Sequence, residues 1–227
     1  TATITNATWE ASVFDTTSPT LSTVTIASNN SNIAKAKVGD VITLTITASE
    51  ALSANPVVTI AGNAAVETNT SGNNYTATYT MASGDSEGTV AFTIDFTDSA
   101  GNVGTQVTAL TSGSGVTFDK TAPSITSVTA GWGASLNELE DNSDGTVTVV
   151  TSGAEDGQTV TLTLNSANYT STVSSNSTSI TVGASALQAL SNNTAHTLTT
   201  NVSDAAGNTA TEHTASSFTA LNNPVAN

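Results

Sequence analysis

The chain has 227 residues, no cysteine, and 3 Lys+Arg against 18 Asp+Glu, a formal charge of −15. Without thiols there is no disulfide framework, thiolate metal centre or cysteine nucleophile; with three cations almost nothing can neutralise phosphate, which excludes nucleic acid and anionic membrane as partners. No apolar run approaches the ~20 residues of a membrane span, and Thr and Ser make up roughly a third of the chain, a polar, weakly charged composition typical of secreted strand-rich repeats.

Residues 1–14 (TATITNATWEASVF) are rich in Thr, Ile, Val and aromatics and free of Gly and Pro, which predicts a strand. The absence of Met and of a signal peptide at Thr1 reads as a mature or excised extracellular product. Phe14-Asp15-Thr16-Thr17-Ser18-Pro19-Thr20 then returns as Phe118-Asp119-Lys120-Thr121-Ala122-Pro123-Ser124, 119 − 15 = 104 residues later. Such a period predicts two copies of one module, 15–118 and 119–220, between an N-terminal strand 1–14 and a tail 221–227 whose Asn222-Asn223-Pro224 resembles a decayed third connector. In this register residues 1–14 are a last strand with no domain in front. Either the segment pairs within the chain or is the remnant of a deleted repeat, or it completes a sheet in a neighbouring copy and polymerises the protein by strand addition. Each connector ends in a proline, which pushes Ser18 and Ala122 towards extended backbone.

In the first module Leu21, Val24 and Ile26 begin a strand, and Gly39-Asp40 turns into Val41 to Thr47, where Ile42, Leu44 and Ile46 alternate with Thr so that one face is core and the other wet. Val57 to Ile60, Tyr75 to Thr80 after the Ser71-Gly72-Asn73-Asn74 turn, Val90 to Phe96, and a last strand ending at Phe118 follow the same rule. The second module repeats the plan at 125–128, 146–151, 159–164, 169–173, 180–182 and 198–202. Trp132 to Glu140 is expected to form a single helical turn, and Ala184 to Leu190 a short crossover turn. About seven short strands per module, with turns every eight to twelve residues, predict an all-β fold of two tandem immunoglobulin-like β-sandwich domains plus an extra N-terminal strand.

The Asp-x-Thr-x-Pro connectors, the Thr47-Ala48-Ser49-Glu50 strand end, Asp204-Ala205-Ala206-Gly207-Asn208, and Leu136-Asn137 with Glu140 ahead of DGTVTV resemble the bacterial immunoglobulin-like repeats of large extracellular adhesins and surface proteins. The resemblance covers nearly all of 15–220. It implies a secreted, often calcium-stiffened module that serves as stalk, ligand-binding tip, or subunit of a filament or surface layer. Lys120 and the Asn-Asn-Pro tail depart from the pattern.

Three acids recur in register: Asp15 with Asp119, Glu50 with Glu155 (155 − 50 = 105) and Asp98 with Asp204 (204 − 98 = 106). In a sandwich whose first strand starts at the connector, the loops carrying Glu50 and Asp98 lie at that same end, so the three carboxylates should converge. Mutual repulsion then calls for a cation, and arginine is absent. Calcium suits this donor set, because it takes six to eight hard oxygen ligands in a flexible shell, with Asn102 and Asn208 as candidate carbonyl donors. The alternative is that these acids are solvated turn residues, Asp and Asn being common in turns.

The two histidines, His196 and His213, form no metal pair or triad, and no nucleophile elbow, phosphate loop or zinc motif occurs, so an enzyme is not expected. Lys35 and Lys37 read as solvated turn residues rather than isopeptide donors, and Trp9 and Trp132 as packing rather than sugar-stacking residues. The Thr-x-Thr runs read as ordinary strands, not an ice-binding array, since they lack a short solenoid period. The expected function is mechanical: a non-enzymatic extracellular building block of an adhesin, filament or surface coat, whose partners are copies of itself or neighbouring immunoglobulin-like repeats. The competing reading is a binding module for glycan or a cell surface.

Overall fold

Alternation decides the architecture. Wherever Val, Ile or Leu alternates with Thr or Ser, the apolar set turns inward: Ile42, Leu44 and Ile46 in one stretch and Val160, Leu162 and Leu164 in another are at most 2% exposed. The computed structural model describes residues 14–221, in two compact units, Thr1–Thr117 and Phe118–Asn227. The strand expected over 1–14 and the expected tail therefore lie outside the described residues, save Phe14 and Leu221.

The first unit contains β1 (Leu21–Ser28), β2 (Lys35–Ala36), β3 (Val41–Ala48), β4 (Val57–Ile60), β5 (Asn63–Ala64), β6 (Val66–Ser71), β7 (Asn74–Thr80), β8 (Gly88–Thr89) and β9 (Phe92–Asp95). Then β10 (Thr117–Phe118) carries the chain across the division. Its sheets run β1-β3-β7-β6, β5-β4-β9 and β2-β10-β8. Register on the four-stranded sheet puts Thr25, Thr45 and Thr76 side by side, while Ile26, Leu44 and Ala77 line up on the buried face. Val107 continues the second sheet through reciprocal bonds with Ile94 (2.9 and 3.0 Å).

The second unit contains β11 (Ser124–Ala130), β12 (Ser135–Asn137), β13 (Gly145–Ser152), β14 (Thr159–Leu164), β15 (Ala167–Thr172), β16 (Ser177–Val182), α1 (Ala184–Gln188), β17 (Thr194–His196), β18 (Thr199–Val202), β19 (His213–Thr214) and β20 (Phe218–Leu221). The sheets are β11-β13-β16, β12-β20-β17 and β15-β14-β18-β19. The packed layers enclose Val147, Val149, Leu162, Ile180, Leu187 and Phe218. All of this is the all-β sandwich architecture expected.

Two features differ from the sequence reading. Over Trp132 to Glu140 the expected turn is confined to the end, where the Glu140 and Asp141 N–H groups both donate to the Asn137 carbonyl (3.0 and 3.1 Å); Ser135–Asn137 is instead a strand, β12, paired in parallel with β20. A distant partner supplies the hydrogen bonds that a local helix would have satisfied. The second is β6, which alternation does not reveal because only Glu67 turns inward, its Oε1 accepting the Val58 N–H at 2.9 Å.

Candidate functional site

After β9 the chain turns through Asp98-Ser99-Ala100-Gly101-Asn102 and folds around its first side chain. Asp98 Oδ1 accepts the N–H groups of Ala100 and Asn102, both at 2.8 Å, and Oδ2 accepts Asn102 Nδ2 at 2.8 Å. Gly101 closes the turn at φ +97°, backbone that only glycine adopts without strain. Asp98 is 1% exposed. Burial pushes its carboxyl up, but hydrogen bonds from the Asn102 side chain and from the backbones of Asn102, Ala100 and Gly101 outweigh this and hold it below the usual aspartate value.

Asn102 also reaches the connector, donating from Nδ2 to the Asp15 backbone oxygen at 3.2 Å. Asp15 Oδ1 accepts the Thr17 N–H at 2.9 Å, which sets the direction of its side chain. On the other flank, the segment after β3 is stapled to the loop: Ser99 N–H donates to the Ala51 carbonyl (3.2 Å) and Ser53 N–H to that of Thr97 (2.9 Å). These bonds deliver Glu50. Carboxylate oxygens of Asp15, Glu50 and Asp98 lie within 4.8 Å of one another, grading from exposed through half-buried to buried. Burial, then the charges of Asp15 and Asp98 and a hydrogen bond with Asp15, push the Glu50 carboxyl above its ordinary value.

The second unit repeats the loop bond for bond. Asp204, 3% exposed, accepts Ala206 N–H (2.9 Å), Asn208 N–H (2.8 Å) and Asn208 Nδ2 (2.8 Å), and Asn208 Nδ2 reaches the Asp119 backbone oxygen at 3.0 Å. Thr121 N–H donates to Asp119 Oδ1 at 2.9 Å. Glu155 breaks the parallel, since its Oε2 accepts the Ala205 N–H at 2.8 Å. Among the described residues, Asp119, Glu155 and Asp204 form no group of three mutually close carboxylates like that in the first unit. Asn102 and Asn208 each turn the NH2 towards the aspartate and the connector. The physical reason is that a buried carboxylate needs donors, and an amide nitrogen supplies one.

The donor set in the first unit is oxygen alone, with no imidazole or thiol, which matches a hard cation. Oxygens within 4.8 Å of one another can also share one ion at the ~2.3–2.6 Å typical of calcium. Elsewhere the sequence candidates settle into structure. Lys35 lies in β2, and His213 begins β19. His196 Nε2 sits 3.2 Å from the Ser191 carbonyl, with its ring 5.8 Å from that of Phe218. Trp132, 7% exposed, packs edge-on against Phe218 with ring centroids 5.3 Å apart. Glu140, Ser143 and Asp144 border a hollow beside it, a polar group invisible in the sequence pattern, yet the indole is too buried to offer a face for a sugar. Trp9 lies outside the described residues. No helix of the described residues is long and apolar enough to cross a membrane.

Among solved structures the chain is similar to a Ca2+-stabilised adhesin that helps an Antarctic bacterium reach out and bind ice (24% identity, TM-score 0.49, 91% of this chain and 51% of that one). It is also similar to a structure from a 1.5-MDa bacterial ice-binding adhesin, described for host cell surface retention (25% identity, TM-score 0.44, 88% and 64%). A bacterial immunoglobulin-like domain of the M. primoryensis ice-binding adhesin matches 42% of this chain over 95% of its own length (33% identity, TM-score 0.31). The chain thus spans between about half and two-thirds of the first two. No protein-family model and no curated protein matches it. Of these, the third is described as a bacterial immunoglobulin-like domain; the two units of this chain are all-β sandwiches.

Proposed function

We propose that the chain is a non-enzymatic, extracellular structural segment of a cell-surface adhesin, filament or surface coat, built from immunoglobulin-like modules that calcium stiffens. The observation that carries this reading is the trio Asp15, Glu50 and Asp98: three carboxylates held within 4.8 Å, on a chain that has only three cationic residues. Each acid comes from a different segment, namely the connector, the end of β3 and the loop after β9. A calcium ion bound to all three would tie the connector to the sandwich that follows it and remove the connector's freedom. Asp119, Glu155 and Asp204 would hold the corresponding ion in the second unit, with Asn102 and Asn208 orienting the buried aspartates.

Calcium titration of the intact chain by calorimetry tests this, with thermal unfolding as a second readout. Heat of binding and a raised melting temperature in the wild type, both diminished in Glu50→Gln, are expected. Neither heat nor a melting shift at millimolar calcium would end the proposal.

The partners in this reading are copies of the chain or adjoining immunoglobulin-like repeats. Residues 1–14 align by the 104-residue period with 105–118, the segment that pairs Val107 with Ile94 and ends in β10. A segment of that kind therefore has a defined seat in such a sandwich, which supports strand addition between copies. Deleting residues 1–14 should abolish assembly by negative-stain microscopy. Assemblies that persist at the same concentration would remove strand addition from the account.

A further inference from the structure

The first strand of each unit has an outer edge, and the two units treat that edge differently. β1 and β11 correspond at the 104-residue spacing, down to a register break between Leu21 and Thr23 in one and between Ile125 and Ser127 in the other. Val24 of β1 turns its main-chain groups away from β3, and the unit's own last segment meets them. The Val24 N–H donates to Thr111 Oγ1 (2.8 Å) and the Thr111 N–H to the Val24 carbonyl (3.0 Å), and Val24 is fully buried. Its counterpart on β11 is Val128. There the Gly131 N–H points at β13, donating to the Thr146 carbonyl at 2.7 Å, so by ladder alternation Val128 and Ala130 direct their own groups outward. The Ala130 carbonyl is taken by the Gly133 N–H (3.0 Å), but no described residue is hydrogen-bonded to either group of Val128. The last segment has gone elsewhere, the Ala215 N–H to the Leu198 carbonyl (2.9 Å) and Phe218 into β20. Between it and β11 a hollow opens, walled by Val128, Ala130, Ala134, Leu198, Ala215 and Phe218, and Val128 is only half-buried.

We infer that this edge of β11 is the seat of an added strand, and that the strand is residues 1–13 of a second copy of the chain. This rests on the strand-addition reading above and adds the place where the strand lands. The 104-residue spacing aligns residues 1–14 with 105–118, and Thr111 of that stretch fills the matching edge in the first unit. Ala7 stands where Thr111 does, without the hydroxyl. A strand laid along the edge needs none, because its own carbonyls and N–H groups alternate past Val128. Residues 1–13 carry one charged side chain, Glu10, and alternate Ala2 and Ile4 with Thr1, Thr3 and Thr5, so as an extended strand they would present aliphatic groups to the hollow and hydroxyls to water. Donor and seat are different surfaces, so each copy can give one strand and take one, which propagates a filament rather than closing a dimer.

The test follows assembly of the full chain by sedimentation velocity and negative-stain microscopy, while hydrogen exchange reads the Val128 amide. In the wild type that amide should become protected as concentration rises. Val128→Pro removes the N–H at an edge position where proline is otherwise tolerated, and Ala134→Lys puts a charge on the exposed wall of the hollow. Each should raise the concentration needed for assembly at least roughly tenfold, with circular dichroism unchanged. Because Ala134 is exposed, its variant still decides the matter if the proline weakens the fold. Val128→Pro copies mixed with copies lacking residues 1–14, neither of which assembles alone, should give one-to-one dimers and nothing longer. Assembly that the deletion abolishes but both groove variants leave unchanged would overturn this seat and leave strand addition standing. A Val128 amide protected equally at every concentration would show a groove filled without a second copy, and would also overturn the inference. A wild type that stays monomeric, or assembly that survives the deletion, would overturn the strand-addition reading with it.

Discussion

The segment between the first strand and its sheet neighbour is solved differently in the two units. In the first, residues 29–40 are held by short polar side chains. Asn29 Oδ1 accepts Val41 N–H (2.8 Å), Asn30 Oδ1 accepts Asn32 N–H (3.0 Å), and Asp40 Oδ2 accepts both Lys37 N–H (2.8 Å) and Asn30 Nδ2 (2.7 Å). In the second, residues 131–144 carry polar bonds of the same kind, Asn137 Oδ1 accepting Leu139 N–H (3.0 Å) and Glu140 Oε2 accepting Asn137 N–H (3.0 Å), and add an aromatic plug. Trp132 packs on Phe218, and Gly145 is bare because a Cβ there would come within 2.5 Å of the indole. Polar bonds join residues close in sequence and tolerate edits one at a time. A plug joins distant strands and concentrates the energy in one side chain, so the second unit should be the more fragile to substitution in this segment.

Trp132→Ala breaks that comparison most severely. It should cost about 3–5 kcal/mol of the second unit's stability, read as a lowered denaturant midpoint, with the first unit unaffected. Gly145→Ala should cost about 1–3 kcal/mol through the clash with the indole. Trp132→Phe should cost much less than Trp132→Ala, because the indole Nε1 is buried without a partner and Phe discards that unpaired N–H together with some volume. A Trp132→Ala protein with an unchanged midpoint would show that the plug contributes nothing.

The acid-bearing end of the first unit offers a subtler test, with a sign that depends on the buffer. In metal-free buffer the folded state keeps a proton on Glu50 at pH values where the unfolded chain has lost it. Stability therefore falls as pH rises from glutamate's ordinary 4.5 through the higher folded value. Glu50→Gln escapes that loss, so its melting temperature should exceed the wild type's by a margin that grows towards neutral pH. The proposed calcium site predicts the reverse order when calcium is present, since the variant would remove one of its three carboxylates. Asp98 has the opposite sign: its contribution is fully present above the ordinary 3.8 and is lost as pH falls through its lower folded value. Asp98→Asn should therefore be most damaging at neutral pH and nearly silent in strong acid.

Much of this was legible in the residues, for reasons that also set the limit. Strands such as β3 and β14 announce themselves because one buried face imposes a period of two on Ile, Leu and Val. Asp15, Glu50 and Asp98 could be brought together from spacing alone, because a repeated sandwich returns the same loops to the same end. What the pattern could not carry was set by distant backbone. Ser135-Leu136-Asn137 looks locally helical and becomes β12 only because β20 arrives alongside. Whether a glutamate faces its fellow acids, as Glu50 does, or takes a neighbouring amide, as Glu155 does, depends on which group holds the N–H after the aspartate, and sequence spacing does not carry that.

The parallel pairing of β12 with β20 has a mechanical consequence. A pull applied at the two ends of the second unit draws the start of its opening segment one way and the end of β20 the other, so the Ser135–Thr219, Leu136–Ala220 and Asn137–Leu221 rungs are loaded in shear. Rungs sheared together must fail together, whereas an antiparallel hairpin peeled from its tip fails one rung at a time. Stretching single molecules should therefore show the second unit yielding in one abrupt step, and replacing Leu136 with proline, which removes a rung donor from that patch, should lower the force at which it gives way.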